Sequence, residues 1–280
     1  MNVLDQPLPL AGVRMLIVGA SSGIGREVAR LAAARGARVA VAARRMLLLE
    51  SLAAELGGSA HEIDVISAAS IARGVTAAAA SLGGFDVVVC TSGVFPLARV
   101  EHVDAVTWAE AFATNTIGPA LVMSNALPHM STDAVLVCAS SDKVGNPPAG
   151  TAAYAASKAA LDEVLRSWRC EHPDLRVIRI GVGPTAGTEM MRGADRELVS
   201  ELIDSWTREG RVPERMADVA DVAELIVTVV ATARAADTLV AENVQFRPRH
   251  ATELRDAEAL LDKGLALATG AGDGRRHLDG

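Results

Sequence analysis

The sequence predicts a single α/β domain built on a doubly wound sheet of seven parallel strands. Short apolar runs rich in β-branched residues alternate with longer segments rich in Ala and Leu along most of the chain. Several of these runs are nearly continuous in Val, Ile and Leu, as expected for strands that helices cover on both faces. Strand–helix alternation of this kind is typical of a parallel sheet. Neither an internal repeat nor a linker rich in Pro and Gly divides the chain.

Seven apolar runs are the predicted strands, and the Ala-rich segments between them are the predicted helices. The strands are expected at 14–19, 37–42, 60–65, 85–90, 133–138, 175–181 and 241–246. The helices are expected at 23–35, 46–56, 67–82, 104–130, 151–171 and 217–233.

Two segments interrupt this alternation. Residues 188–216 form a polar, amphipathic insertion between the sixth and seventh strands. Because ligands bind at the carboxyl ends of the strands in such sheets, we expect this insertion to act as a substrate lid. Residues 249–280 are expected to form a C-terminal extension, a helix followed by a disordered tail. The predicted domain therefore spans residues 1–248.

Composition excludes several classes of function. The formal net charge of −7 leaves no basic excess to neutralise phosphates, so nucleic acid is not an expected partner. No apolar run reaches the roughly 20 residues that span a bilayer, and the amino terminus lacks the basic region of a signal peptide, so we expect a cytoplasmic protein. The three cysteines and six histidines show neither a disulfide framework nor the spacing of metal ligands. We therefore expect no metal site.

A glycine-rich loop follows the first predicted strand. Its sequence, "GASSGIG", has three glycines spaced G-x3-G-x-G and leads directly into a predicted helix. Such glycines let the backbone approach a pyrophosphate, and the amino terminus of the helix supplies N–H donors, as in Rossmann-type folds. The alternative is a tight strand–helix turn without a ligand. We expect a dinucleotide to bind through the residues of this loop: Gly19, Ser21, Ser22, Gly23, Ile24 and Gly25.

The end of the second strand indicates which dinucleotide is preferred. An acidic residue usually stands there and binds the ribose 2′-hydroxyl, but this sequence has Ala43, Arg44 and Arg45. Guanidinium groups favour a 2′-phosphate, so NADP(H) is expected over NAD(H). The alternative is that both arginines face solvent at the start of the next helix. Asp64 and Val65 end the third predicted strand, where the adenine ring would lie.

Tyr154 and Lys158 lie four residues apart in "GTAAYAASKAALDEVL", and Tyr154 is the only tyrosine of the chain. On a helix, this spacing places both side chains on one face. An exposed amphipathic pair is one interpretation. The other is acid–base chemistry, for which a free tyrosine pKa of about 10 is too high at neutral pH. An ammonium about 4 Å away, at an effective dielectric constant of about 20, contributes up to roughly 4 kcal/mol, or ~3 pKa units. We therefore expect Lys158 to lower the pKa of Tyr154.

Four motifs together resemble the short-chain dehydrogenase/reductase family over about residues 10 to 248. They are "GASSGIG", "TNTIG", "ASS" and "YAASK", in the family's order and spacing. The resemblance implies an oxidoreductase that transfers a hydride between the dinucleotide and a small-molecule carbonyl or alcohol. It implies that Tyr154 is the general acid/base and that Lys158 binds the nicotinamide ribose. Ser141, with Ser140 beside it, would bind the substrate oxygen, and Asn115 would kink its helix and hold a water of a proton relay.

The sequence departs from the family pattern at three places. Val18 replaces a Thr before the first glycine of the loop. The segment after the fourth strand reads "CTSG", so Thr91, two residues before Gly93, replaces an Asn that braces the sheet. After the sixth strand "GVGPTAGTEM" reverses the usual order of Pro184 and the preceding glycine. Thr188 still falls where the family binds the nicotinamide carboxamide.

The insertion and one loop supply the candidate substrate contacts. Met190, Met191 and Trp206 in the insertion are candidate apolar contacts, as is Phe95 after the fourth strand. The alternative is that the insertion residues only pack the lid onto the body. The family resemblance also implies a homodimer or homotetramer. Two rival functions remain at this stage: a non-catalytic dinucleotide-binding sensor or scaffold, and a dehydratase or epimerase that uses the same reaction centre.

Overall fold

The computed structural model describes residues 10–213, 215–236 and 238–248. Its sheet has seven parallel strands in the order β3-β2-β1-β4-β5-β6-β7. The strands are β1 (Arg14–Val18), β2 (Arg38–Ala43), β3 (Ser59–Glu62), β4 (Phe85–Cys90), β5 (Met130–Ser141), β6 (Arg176–Val182) and β7 (Asn243–Phe246). The predicted doubly wound parallel sheet is therefore confirmed.

Helices cover both faces of this sheet. They are α1 (Gly23–Ala34), α2 (Met46–Leu56), α3 (Ala68–Leu82), α4 (Ala105–Phe112), α5 (Gly118–Ala126), α6 (Ala152–Glu171), α7 (Arg196–Arg208) and α8 (Val219–Ala235). Successive side chains of a strand point to opposite faces. Thus Met15 and Ile17 of β1 pack in the core beneath α1, α2 and α8, whereas Leu16 and Val18 pack in the core beneath α3, α5 and α6.

Two predicted elements differ from the structure in ways that matter for the site. The helix expected at 104–130 is divided into α4, a π-helical turn (Ala113–Ile117) and α5. Pro119 explains the division, because it lacks the N–H that an α-helix would donate to the carbonyl of Asn115. The third strand ends at Glu62, so Asp64 and Val65 lie after the strand rather than in it.

The carboxyl ends of the strands position the candidate site. β5 runs to Ser141, three residues beyond the predicted end of the strand. Ser140 and Ser141 therefore both lie at this edge of the sheet. The insertion at 188–216 contains α7, whereas the predicted extension at 249–280 lies outside the described residues. In the described part of the chain, no helix has the length and apolarity needed to cross a membrane. The same residues contain no cluster of three or more side chains suited to a metal ion.

Candidate active site

Tyr154 and Lys158 lie in the first two turns of α6 and are both buried. Their exposed fractions are 5% and 3%. The alternative of an exposed amphipathic pair is therefore wrong. Ala153, Ala155 and Ser157 are buried beside them, because the small side chains of this helix allow close packing against the rest of the domain.

The phenol of Tyr154 is enclosed by an aromatic ring and two polar residues. The ring of Phe95 meets it edge-on, with centroids 4.6 Å apart and planes 78° to one another. Burial raises the pKa of Tyr154 to about 12, a hydrogen bond with Ser141 opposes the rise, and the negative charge of Asp142 adds to it. The phenol is therefore held in its protonated form at neutral pH.

Ser141, rather than Ser140, is the serine that faces Tyr154. The backbone N–H of Lys143 donates to Ser141 Oγ at 3.1 Å, which leaves the hydroxyl proton of Ser141 free to be donated. Ser140 is also buried, but its Oγ has no hydrogen-bond partner among the described residues. The structure thus separates two neighbouring serines that the sequence motif alone leaves ambiguous.

Lys158 points towards the sheet. Its Nζ donates a hydrogen bond of 2.7 Å to the carbonyl oxygen of Ala139 in β5. Burial lowers the pKa of Lys158 to about 8, and nearby Cys138 and Asp162 partly oppose this change. In the chain alone, the Tyr154 pKa follows burial, so the expectation that Lys158 lowers it is not met here.

Two thiols lie beneath this lysine. Cys90 and Cys138 occupy directly opposed positions on β4 and β5, and both are buried. The Cys138 neighbour and burial raise the pKa of the Cys90 thiol well above its ordinary value, whereas the Lys158 charge opposes the rise. Both thiols are buried in the core, and the third cysteine, Cys170, is exposed.

Asn115 braces the loop after β4 against α6. This fully buried side chain accepts a hydrogen bond from Val94 N and donates to Val94 O, each at 2.9 Å. It also donates to Ser157 Oγ at 3.0 Å. The same loop brings Gly93 near Lys158, since a Cβ built on Gly93 would lie 3.7 Å from Nζ. Asn115 therefore holds together the two segments that flank the lysine.

Thr91 fills the space beneath the glycine-rich loop. Its hydroxyl donates to the carbonyl of Val18 at 3.0 Å and so ties β4 to β1. A Cβ on Gly19 or on Gly25 would lie 2.7 Å or 2.5 Å from Thr91 Oγ1, distances that real side chains do not tolerate. Gly19 also has a positive φ of 96°. The replacement of Asn by Thr in "CTSG" thus leaves a brace in place.

The amino terminus of α1 is suited to an anion. Its N-cap residue, Ser22, makes no side-chain capping bond, and the first turn contains no acidic residue. The first backbone N–H groups therefore lack the usual capping partner. Gly23 and Ile24 begin the helix, and a Cβ on Gly23 would meet Thr188 at 3.6 Å. The structure thus brings the glycine-rich loop together with Thr188 of the insertion.

The two arginines after β2 are placed differently. Arg44 is exposed, which agrees with the alternative that the arginines face solvent at the start of the next helix. Arg45 instead folds over the glycine-rich loop and donates to Ser21 Oγ at 3.0 Å and to Ser22 Oγ at 2.8 Å. A carboxylate of the insertion, Glu189, lies 2.8 Å from the same guanidinium.

The remaining predicted cofactor residues lie on loops at the same edge of the sheet. Asp64 accepts from Ile66 N at 3.3 Å, and Val65 is buried with its carbonyl close to Gly118. Pro184 accepts from Ala217 N at 2.9 Å, which ties the loop after β6 to the start of α8. The reversed Gly–Pro order therefore belongs to a hydrogen-bonded loop.

The predicted substrate residues divide into two groups. Phe95 contacts Tyr154, whereas Trp206 donates its indole N–H to Ala149 O at 2.9 Å and so packs α7 onto the body. For Trp206, the alternative of a packing role has direct support. Met190 is exposed, and Met191 is partly buried. An open cavity of about 390 Å³ lies between α7, the loop before α6 and the loop that follows Phe95.

Sequence reasoning missed Asp142 and Glu189. Asp142 directly follows Ser141, so its charge near Tyr154 follows from chain position once Ser141 is placed. Glu189 meets Arg45 across 144 positions of sequence, and no local pattern signals such a contact.

Comparisons with known proteins agree with this arrangement. The family model described as short chain dehydrogenase matches residues 14–198. Glycine betaine reductase ATRR of Emericella nidulans is 31% identical over 219 residues, which are 75% of this chain and 17% of that protein. D-threitol dehydrogenase of Mycolicibacterium smegmatis is 37% identical over 124 residues, which are 42% of this chain and 48% of that protein. The chain therefore spans less than half the length of these two relatives.

A solved structure extends the likeness to the whole fold. The short-chain type dehydrogenase/reductase from Mycobacterium marinum superposes with a TM-score of 0.75 at 27% identity, covering 88% of this chain and 98% of that one. The family model alone matches more than half of the chain, across the glycine-rich loop, Asn115, Tyr154 and Lys158. The chain therefore belongs to the short-chain dehydrogenase/reductase family of oxidoreductases.

Proposed function

We propose that this protein transfers a hydride between NADP(H) and a small-molecule carbonyl or secondary alcohol, with Tyr154 as general acid and base. The observation that carries the proposal is the burial of the only tyrosine beside Ser141, at the edge of the sheet where the glycine-rich loop also lies. A buried tyrosine needs a polar partner. Here that partner is a serine whose proton remains available.

The chain's own residues perform the proton chemistry. NADPH, when bound, supplies the hydride to the carbonyl carbon. Ser141 donates a hydrogen bond to the substrate oxygen, because its own oxygen already accepts from Lys143 N–H. Tyr154 then protonates that oxygen, and a phenol with a pKa near 12 carries its proton throughout the neutral range.

The reverse reaction requires a base, and Lys158 provides the positive charge that assists it. The Lys158 ammonium projects from α6 towards β5, 2.7 Å from the Ala139 carbonyl, and in this proposal it returns a proton to Tyr154 after carbonyl reduction. Asn115 fixes the neighbouring loop and, in this proposal, holds a water that connects Lys158 with solvent.

The NADP(H) preference rests on the residues after β2. No carboxylate stands at the end of this strand to accept from a 2′-hydroxyl, whereas Arg44 is exposed and Arg45 lies against Ser21 and Ser22. Two guanidinium groups at this position favour a 2′-phosphate. The glycine-rich loop and the uncapped amino terminus of α1 would hold the pyrophosphate.

We also propose a cytoplasmic homodimer or homotetramer. The exposed apolar side chains of Val106 and Ile117, on α4 and the π-helical turn, support self-association through this side of the molecule. Light scattering coupled to gel filtration measures the mass directly. A monomer at all accessible concentrations would contradict this part of the proposal.

The rival function is a non-catalytic dinucleotide-binding sensor or scaffold. The "CTSG" and "GVGP" departures motivate it, but the hydrogen bonds of Thr91 and Pro184 support intact loops at both places. A fluorescence titration with NADPH and NADH, followed by a screen of ketones and aldehydes for NADPH oxidation, distinguishes the two. Tight NADPH binding with turnover supports the enzyme, whereas binding without turnover of any carbonyl supports the sensor.

A further inference from the structure

The carboxylate of Glu189 occupies an anion site on the glycine-rich loop. It accepts hydrogen bonds from Arg45 Nη1 at 3.2 Å and from Ser22 Oγ at 3.0 Å. Arg45 Nη2 lies 2.8 Å from Oε2, the oxygen that also accepts from Ser22. Arg192, one turn further along the insertion, stands 3.7 Å away. The donors that surround this carboxylate are thus the groups that a phosphate would use.

Glu189 is ionised in this arrangement. The hydrogen bond from Arg45 lowers the pKa of Glu189 most; burial opposes this change, and the Ser22 hydrogen bond and the charges of Arg45 and Arg192 add to the lowering. The positive charge of Arg45 is therefore neutralised by a residue of its own chain. A phosphate that approaches Arg45 must displace that carboxylate before it gains the full charge-assisted contact.

The position of Arg45 indicates which phosphate is affected. Arg45 lies two residues after Ala43, the last residue of β2, beyond the end of the strand where dinucleotide folds read the ribose 2′ position. Arg45 also contacts Ser21 and Ser22, and the loop that contains them is joined to this strand end by hydrogen bonds to Ala42 O. An occupant of this pocket meets the adenosine end of the dinucleotide.

We propose that Glu189 is a built-in competitor for the 2′-phosphate of NADP(H) and thus a residue that sets cofactor affinity and selectivity. This inference rests on the proposed NADP(H) preference. Glu189 directly follows Thr188, which lies over Gly23, so the competitor belongs to the first turn of the insertion. Binding of a 2′-phosphate therefore releases one contact that ties the insertion to the cofactor loop.

The test compares Glu189→Gln with a matched control. Glu55→Gln removes the same charge from another exposed Arg–Glu pair, in which Glu55 accepts from Arg30 Nε at 2.8 Å and Nη2 at 3.0 Å. Isothermal titration calorimetry at fixed ionic strength measures binding of adenosine 2′,5′-bisphosphate, NADPH and NADH. We expect Glu189→Gln to bind the first two roughly twofold to fivefold more tightly, as for loss of a partly exposed ion pair. We expect NADH binding to be unchanged, and Glu55→Gln to match the unmodified protein with every ligand.

Three results overturn the inference. They are unchanged or weaker binding of adenosine 2′,5′-bisphosphate to Glu189→Gln, an equal gain for NADH, and an equal gain in Glu55→Gln. Glu189→Ala, which cannot form the amide contacts of Gln, must give the same direction. Turnover is scored separately: tighter bisphosphate binding without reduction of any carbonyl supports the role of Glu189 while rejecting the proposed enzyme. Turnover with unaltered bisphosphate affinity supports the proposed enzyme and rejects the role of Glu189.

Discussion

The Nζ atom of Lys158 and the carbonyl oxygen of Ala139 are joined by a 2.7 Å hydrogen bond that links α6 to β5. The bond directs the buried ammonium to the backbone of the strand that ends at Ser141. The pKa of Tyr154 is accordingly set mainly by burial of the phenol, although Lys158 lies only one helical turn away. Acid–base behaviour of this site is the property that experiments can reach most directly.

The single tyrosine makes its ionisation directly observable. Because Tyr154 is the only tyrosine, the ultraviolet absorbance of tyrosinate reports one residue. We expect its midpoint in the protein alone at a pH of about 12, since burial disfavours the anion. A midpoint near the ordinary value of about 10 would contradict the burial of this phenol. Absorbance of the guanidinium-unfolded chain provides the reference titration.

Tyr154→Phe is expected to remove catalysis and to leave cofactor binding nearly unchanged. The variant keeps the ring that packs against Phe95 but loses the proton donor. General acid–base catalysis contributes on the order of 10²–10⁴-fold, so at least that loss in kcat is expected. Turnover is measured by NADPH oxidation with a carbonyl substrate, and binding by cofactor fluorescence. Retention of most of the turnover would reject Tyr154 as the acid.

Lys158→Met is expected to change how stability depends on pH. Burial lowers the Lys158 pKa to about 8, so folding favours the neutral amine. The stability that the neutral amine confers is complete above the unfolded pKa of about 10.4 and is lost as pH falls towards 8. In the unmodified protein this residue therefore raises the free energy of unfolding between pH 8 and 10, by up to about 3 kcal/mol.

Urea unfolding at pH 8 and pH 10 measures this difference. In Lys158→Met the rise contributed by the residue should disappear, and the variant should gain most at the lower pH. Lys143→Met serves as the control, because the Lys143 side chain is 18% exposed whereas Lys158 is buried. An identical pH dependence in Lys158→Met and the unmodified protein would show that the ammonium is well solvated.

Arg44→Ala is expected to weaken NADPH binding far more than NADH binding. Arg44 is exposed beside the end of β2, and a lost charge-assisted contact to the 2′-phosphate costs ~1.5–3 kcal/mol. Affinities come from the fluorescence titration described above, repeated at two salt concentrations because exposed charges are screened. Equal weakening of both cofactors would mean that Arg44 does not read the 2′-phosphate.

The sheet and the positions of the motifs were predictable because local patterns encode them. Continuous runs such as "FDVVVC" identify strands buried on both faces, and β4 begins and ends where this run does. The family resemblance implied a kink at Asn115, where the structure has a π-helical turn, but the apolar pattern continues across this turn and, apart from the resemblance, only Pro119 indicates a break. Periodicity shows which residues face the core but not how the helix is wound.

The sequence predicted which residues form the candidate site better than it predicted how their charges are arranged. A Tyr–Lys spacing places two side chains on one face of a helix, but it does not give the direction of the ammonium, which the Ala139 carbonyl determines. The contact between Glu189 and Arg45 depends on how the insertion folds back over α1, and that requires the complete fold. Charge at this site is therefore a tertiary property.

The two opposed thiols beneath Lys158 make local unfolding of the sheet measurable by cysteine alkylation. Cys170 is accessible to an alkylating reagent in the folded protein, whereas Cys90 and Cys138 react only when the centre of the sheet separates. The slow phase of labelling at these two cysteines thus measures how often the part of the sheet beneath the candidate active site opens. Ligands that hold the site closed lengthen that phase, whether or not they support turnover.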